Sequence, residues 1–276
     1  MSGTVISQID KDGNATVMLN RPEVHNAFDP GMVAALTKTL KKLEADRSVR
    51  AVVLLGAGKS FCAGADIAHM KKSAGYSAAQ NFKAAQQTAR MLYTLYRLEK
   101  PTIACIHGAV RGGGVGLAAA CDIAIASRAA TFRLSEVKLG VIPAMISPYV
   151  IAAIGERMAH RYMLTGEEFD AAEAFRIGLV HGITDDDKLG PVVSDMLSRL
   201  YSSGPDAVVA IKRLIPVSAH APIGDKIVDE TARRIARIRA TKEAQEGLSA
   251  FLEKRKPAWL EAATEKTPKT AKRKGR

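Results

Sequence analysis

Cysteine is scarce in this chain: Cys62, Cys105 and Cys121 are the only three, and no two of them form a CxxC pair. That excludes a disulfide framework. Their apolar or small-residue surroundings read as buried, unreactive thiols in a reducing cytoplasm. The six histidines show neither HxH nor HExxH spacing, so no metal site is expected. Aromatic residues make up 5% of the chain, leaving no stripe on which bases could stack, and no RNA-recognition motif is present. No uninterrupted apolar run approaches the roughly 20 residues of a bilayer span. Met1–Ile9 lacks the basic-then-apolar order of a signal peptide and the Arg-rich character of a transit peptide. A cytoplasmic protein without a membrane segment is the expectation.

Acidic residues are also in deficit: 40 Lys and Arg face 28 Asp and Glu, a net charge of +12. Much of the excess sits in Thr264–Arg276, where six bases face the single acid Glu265, and setting that segment aside leaves +7. Residues 261–276 therefore read as a disordered basic tail. A mildly basic body suits a polyanion such as coenzyme A as well as it suits RNA.

What is present is an ordinary globular composition, 47% hydrophobic over 276 residues, enough for one full core and a small helical appendage. Val5–Ile9 and Ala15–Leu19 alternate around Asp12-Gly13, which predicts a hairpin. Asp29-Pro30 is a helix cap followed by proline at the first helical position, ahead of a helical period over Met32–Leu43. Ala51–Leu55, Thr102–His107 and Asp122–Ala126 are short strand-like runs, with a helix over Gln80–Leu98. The alternation of strand and helix to about Thr184 predicts an α/β layered domain over 1–187. Lys188–Tyr201, Pro205–Ile215 and Ile223–Lys254 then read as helices, giving a helical module over 188–260. Gly56-Ala57-Gly58-Lys59-Ser60 resembles the end of a P-loop, but Val53 stands where that motif requires glycine, so a surface turn is expected.

Two small-residue turns carry the chemistry. Phe61-Cys62-Ala63-Gly64-Ala65-Asp66-Ile67 and Arg111-Gly112-Gly113-Gly114-Val115-Gly116-Leu117 each follow a strand-like run and open a helix-like one. Without side chains in the way, a ligand can approach such a backbone closely, and a helix start offers unpaired N–H groups. Two starts converging on one point would hold a developing oxyanion. Either cluster taken alone also fits tight packing of a helix on a sheet.

In order and about fifty residues apart, the two turns resemble those of the crotonase family, the enoyl-CoA hydratases and isomerases. The resemblance starts at Leu19-Asn20-Arg21-Pro22 with Asn26-Ala27-Phe28. It continues through Phe61–Ile67, Lys100–Ala104, His107-Gly108, Arg111–Leu117, Cys121-Asp122-Ile123 and Phe132–Pro143, and ends at Glu246–Arg255. It implies a crotonase-like spiral β/α core with a helical C-terminal trimerisation module, a homo-trimer or hexamer, and an acyl-CoA substrate with no separate cofactor. By position it makes the backbone N–H groups of Ala65 and Gly113 the oxyanion donors. Val24, Ala63, Asp66 and Ile67 fall where the family lines the bent CoA, and Phe251 and Lys254 where it meets the adenosine end.

Hydratases of this family commonly share the reacting water between two glutamates. Glu136 matches one; Gly116 occupies the place of the other. Glu136 lies between Leu134 and Val137, where desolvation would raise its pKa and fit it to move a proton. The run Ile142-Pro143-Ala144-Met145-Ile146-Ser147-Pro148-Tyr149 together with Gly112–Gly116 looks like the branch containing methylglutaconyl-CoA hydratases. In that branch Gly116 would open space beside the substrate. Arg111 is a candidate cation for a substrate carboxylate, with a solvated arginine or a CoA-phosphate contact as the alternatives. The expected function is a hydratase of a 2-enoyl-CoA, with a branched glutaconyl-type ester as the candidate substrate. An isomerase or decarboxylase of the same family is the alternative, since one carboxylate suffices for either. RNA binding is the alternative from another class.

Overall fold

The computed structural model describes residues 3–260; the basic tail at 261–276 lies outside them. Strands β1 (Val5–Ile9) and β2 (Asn14–Leu19) form the predicted antiparallel hairpin, with Val5 opposite Leu19. Asp10 nucleates it, its Oδ1 accepting the Asp12 and Asn14 N–H groups at 2.9 Å.

Helix α1 (Pro30–Ala45) begins where the sequence places it. The Asp29 carboxylate accepts the Met32 N–H, and Met32, Val33, Leu36, Leu40 and Leu43 turn one face into the core. Strand β3 (Ala51–Gly56) pairs parallel to β2 and is almost wholly buried, as its continuous apolar run requires. The Gly56–Ser60 segment leaves it as a turn. Helices α2 (Ile67–Ser73) and α3 (Ala78–Arg97) follow, α3 starting in a capping box of Ser77 and Gln80. Strands β4 (Thr102–Ile106), β6 (Ile123–Ser127) and β9 (Gly182–Thr184) complete a six-stranded sheet in the order β1-β2-β3-β4-β6-β9, parallel beyond the first pair.

A second sheet, not anticipated from the sequence, does the positioning. It joins β5 (Ala109–Arg111), β7 (Thr131–Arg133) and β8 (Glu168–Asp170), three residues each. β5 runs directly into α4 (Gly113–Ala120), and β7 leads within three residues to Glu136. The β5–β7 pairing extends one step further, the Gly112 N–H donating to the Arg133 carbonyl at 2.9 Å. Helices α5 (Ser147–Thr165) and α6 (Ala171–Arg176) flank β8.

Helices α7 (Leu189–Tyr201), α8 (Pro205–Ala219), α9 (Asp225–Arg239) and α10 (Lys242–Leu252) follow without further strands among the described residues. The expected helical run over Ile223–Lys254 is two helices: the first closes at Ala240, and Thr241 caps the second, its hydroxyl accepting the Ala244 N–H. The chain divides into two compact units, with the break inside α7 after Met196. Within the second unit the Glu243 carboxylate accepts the Asp206 and Ala207 N–H groups at 2.9 Å and so caps α8. Arg255 pairs with Glu246 at 2.6 and 2.9 Å. No helix among the described residues is long and apolar enough to cross a membrane.

Candidate active site

Three backbone segments are stitched together in the first unit. Phe28 and Ala65 form a parallel bridge, in which the Phe28 N–H donates to the Gly64 carbonyl at 2.6 Å and the Asp66 N–H donates to the Phe28 carbonyl at 2.9 Å. A second bridge joins Cys62 to Val110, with the Arg111 N–H on the Cys62 carbonyl at 2.9 Å. The Ala63 N–H donates to the His25 carbonyl, and the Gly64 N–H bonds the Cys62 sulfur. In the Phe28–Ala65 bridge both bonds fall on the neighbours of Ala65, so its own N–H points away from Phe28. That N–H donates to no acceptor among the described residues, and neither does the N–H of Gly113, which opens α4.

The two unpaired donors lie close together. A methyl group at Gly64 would come within 3.4 Å of the Gly113 nitrogen and 2.8 Å of the Arg111 carbonyl oxygen. Gly64 also has φ +84°, a left-handed conformation suited to glycine. The Phe28 ring packs under Gly113, where a methyl would stand 2.7 Å from Cε2 and 3.8 Å from the Gly64 Cα.

Glu136 begins a single 3-10 turn, Glu136–Leu139, immediately after β7. Its carboxylate reaches Gly112, where a methyl would meet Oε1 at 2.8 Å; Gly112, at φ +46°, is the residue before the Gly113 donor. Oε2 is buried with no hydrogen-bond partner among the described residues. Desolvation raises the Glu136 pKa above the usual carboxylate value, opposed by a hydrogen bond from its own backbone N–H. A buried carboxylate oxygen without a partner is costly to keep and poised to take a proton.

The other predicted residues divide. Ala63 is half-buried in the same turn, and Ile67, 72% exposed, starts α2. Val24 ends the 3-10 turn Pro22–Val24, ahead of the left-handed pair His25 and Asn26. The Asp66 side chain is engaged within the protein: Oδ1 accepts the His69 N–H at 3.1 Å as the cap of α2, and Oδ2 pairs with Arg21 at 2.8 Å. Phe251 and Lys254 belong to the second unit, with Phe251 81% exposed and Lys254 left-handed at φ 54°.

Two expectations are corrected. Arg111 has no cation to spare for a substrate carboxylate or a CoA phosphate. Its guanidinium donates to the Thr131 carbonyl at 2.8 Å, the Thr131 hydroxyl at 2.9 Å and Glu168 at 2.5 Å, fastening the three strands of the small sheet. Gly116 does not open space beside a substrate, because a methyl there would overlap the buried Ile146 side chain; the glycine makes room for α4 against Ile146. Cys62 and Cys121 are buried as expected, whereas Cys105 is half-buried. A groove of about 780 Å³ between α1 and α3, lined among others by Lys38, Lys41, Arg90 and Tyr93, includes none of these site residues.

Sequence reasoning overlooked Phe28, Arg21 and Ile146. The first two stand in the stretch Arg21–Phe28 that carries the resemblance, but no spacing rule announces a ring beneath a glycine.

Residues 10–262 match the family model described as enoyl-CoA hydratase/isomerase. A short-chain-enoyl-CoA hydratase of Clostridium acetobutylicum is 33% identical over 251 residues, which cover 90% of this chain and 95% of that protein. An (E)-benzylidenesuccinyl-CoA hydratase of Thauera aromatica is 34% identical over 247 residues, covering 89% and 94%. The crystal structure of an enoyl-CoA hydratase from Shewanella pealeana superposes with a TM-score of 0.89 at 41% identity, covering 93% of this chain and 96% of that one. Similarity of this extent, in sequence and in fold, places the chain: it belongs to the enoyl-CoA hydratase/isomerase family and is an enzyme with the crotonase fold.

Proposed function

We propose that this enzyme adds water to a 2-enoyl-CoA thioester, with the N–H groups of Ala65 and Gly113 as oxyanion donors and Glu136 as the proton-moving group. The observation that carries the proposal is the buried, unpartnered Glu136 Oε2 beside Gly112, one residue from an unpaired N–H. As water bonds to the β carbon, the alkene electron pair shifts toward the thioester oxygen, where the two donors meet the new charge. Glu136 takes a proton from the water and returns one to the α carbon, so water is added across the double bond. Loss of one such donor typically costs about 3–4 kcal/mol of transition-state stabilisation.

Ala63, Val24 and Ile67 would flank the CoA portion, while Asp66 would contribute by holding the turn that carries Ala65. Phe251 and Lys254 would serve the adenosine end, and the protein would assemble as a homo-trimer or hexamer. CoA enters as part of the substrate, with no separate cofactor. A branched glutaconyl-type ester stays the finer proposal on the strength of the Gly112–Gly116 and Ile142–Tyr149 motifs, without Arg111 as its cation. The single carboxylate favours a second reading, isomerisation of a 3-enoyl-CoA to a 2-enoyl-CoA, which needs one proton carried between two carbons; decarboxylation would need no more.

A panel of 2-enoyl-, 3-enoyl- and glutaconyl-type CoA esters with product identification separates the three reactions. Glu136→Gln, nearly equal in volume, is expected to keep CoA-ester binding and lose at least about a hundredfold in kcat. Near wild-type turnover in that variant would remove Glu136 from the mechanism. CoA esters should also stabilise the protein thermally; stabilisation by RNA alone, steeply salt-dependent, would favour the binding-protein reading.

A further inference from the structure

The Arg21 side chain is only 15% exposed, and its guanidinium is shared among three acceptors. Nη1 donates to the Ala27 carbonyl at 2.7 Å and lies 3.3 Å from Asp29 Oδ2, while Nη2 donates to Asp66 Oδ2 at 2.8 Å. Each of these carboxylates uses its other oxygen to cap a helix. Asp29 Oδ1 accepts the Met32 N–H of α1 at 2.7 Å, and Asp66 Oδ1 accepts the His69 N–H of α2 at 3.1 Å. Arg21 thus ties the beginnings of two helices to each other. Between them lies the Phe28–Ala65 bridge, which aims the unpaired Ala65 N–H and sets the Phe28 ring under Gly113.

The Arg21 backbone is held as well as its side chain. Asn26 is wholly buried: its amide nitrogen donates to the carbonyls of Ala57 and Ser60, and its Oδ1 accepts the Arg21 N–H. Backbone and side chain of Arg21 are therefore held from opposite ends. A planar guanidinium can satisfy a carbonyl and two carboxylates at once; an ammonium on a flexible stem cannot hold that geometry. A displacement of about 1 Å at a catalytic group can cost on the order of a hundredfold in rate.

We infer that Arg21 is a positioning residue that sets the placement of the Ala65 donor relative to Gly113, acting through Asp29, Asp66 and the Phe28 bridge without touching substrate. The inference rests on the proposed role of those two N–H groups. The infrared carbonyl frequency of bound butyryl-CoA labelled at the thioester carbon tests both, since that ester has no alkene to hydrate. Wild-type enzyme should shift the carbonyl to lower frequency as the donors polarise it. Arg21→Met should lose most of that shift and at least about tenfold in kcat, with butyryl-CoA affinity changed by less than about threefold. Arg21→Lys should recover only part of both. If Arg21→Met does not fold, Asp29→Asn keeps an oxygen to cap α1, removes the charge facing Nη1, and should show the same losses in smaller measure. A full carbonyl shift and unchanged kcat in the variants would overturn the role of Arg21 while leaving the donors in place. No shift in the wild type would instead remove the donors, and the role of Arg21 with them.

Discussion

The Phe61–Ile67 turn is held by hydrogen bonds to residues 21–28, whereas the Gly112–Gly116 run is held by the lack of side chains of its own. Around the first, backbone bonds to His25 and Phe28 and the Arg21–Asp66 ion pair fix the chain, with Asn26 holding Ser60 just ahead of it. Around the second, each missing side chain makes room for a different neighbour: the Glu136 carboxylate at Gly112, the Phe28 ring at Gly113, the Cys62 backbone at Gly114 and Ile146 at Gly116. One donor is thus set by charge and hydrogen bonding, which titrate and can be graded by substitution. The other is set mainly by steric contact, which is not graded by charge and fails abruptly. Two donors proposed to meet one oxygen need not be placed by the same force.

The largest effect expected from that contrast lies at Gly113. Gly113→Val would drive its side chain into the Phe28 ring, which is also the bridge to Ala65, and so disturb both donors together. A fall in kcat of at least about a thousandfold is expected in steady-state assays, and it should persist across the pH range. Unchanged turnover in a folded variant would break the comparison at its catalytic end.

An intermediate effect is expected at Gly116. Gly116→Ala gains helix propensity but overlaps Ile146, and because Ile146 is buried the overlap should win, leaving a net loss of about 1–2 kcal/mol in denaturant unfolding. Adding Ile146→Ala should cost less than the two single changes summed, because each relieves the other. Strict additivity would mean that Gly116 is not where it is to admit Ile146.

The smallest effect concerns the first turn. The His69 N–H first, and then Arg21, hold the Asp66 pKa below its ordinary value of 3.8, against desolvation. A depressed carboxylate contributes stability that is fully present above its unfolded pKa and is lost as pH falls through the lower folded value. Asp66→Asn should therefore be less stable than wild type by about 0.5–1 kcal/mol at neutral pH, the gap closing in acid below pH ~3.8. The Gly116→Ala deficit should stay level over the same range. A gap at Asp66 that ignored pH would place both turns under the same kind of control.

Much of this contrast was visible in the residues themselves. Asp29-Pro30 announces a helix start, and the buried run Ala51–Leu55 announces an interior strand, because caps and periodicity act over a few neighbouring positions. The small sheet was not visible: three-residue strands are too short to show a period, and what fastens them is Arg111, which by sequence reads equally well as a free cation. Glu136 was legible as a candidate from its match to a glutamate of the family and from its apolar neighbours. Its meeting with Gly112 was not, because the β5–β7 register brings together residues twenty-four positions apart. Gly116 misled for the same reason: a glycine shows that room is needed but not what fills it.

Cys62 adds a consequence for chemical durability. Its sulfur is enclosed in the first turn, donating to the Asn26 carbonyl at 3.1 Å, and burial pushes the thiol pKa up to about 12. A 2-enoyl thioester, the proposed substrate, is an electrophile that thiolates attack at the β carbon, so an ionised and accessible sulfur in this turn would be open to alkylation by it. Kept protonated and wholly buried, Cys62 can pack the interior of this turn without being consumed by such a substrate.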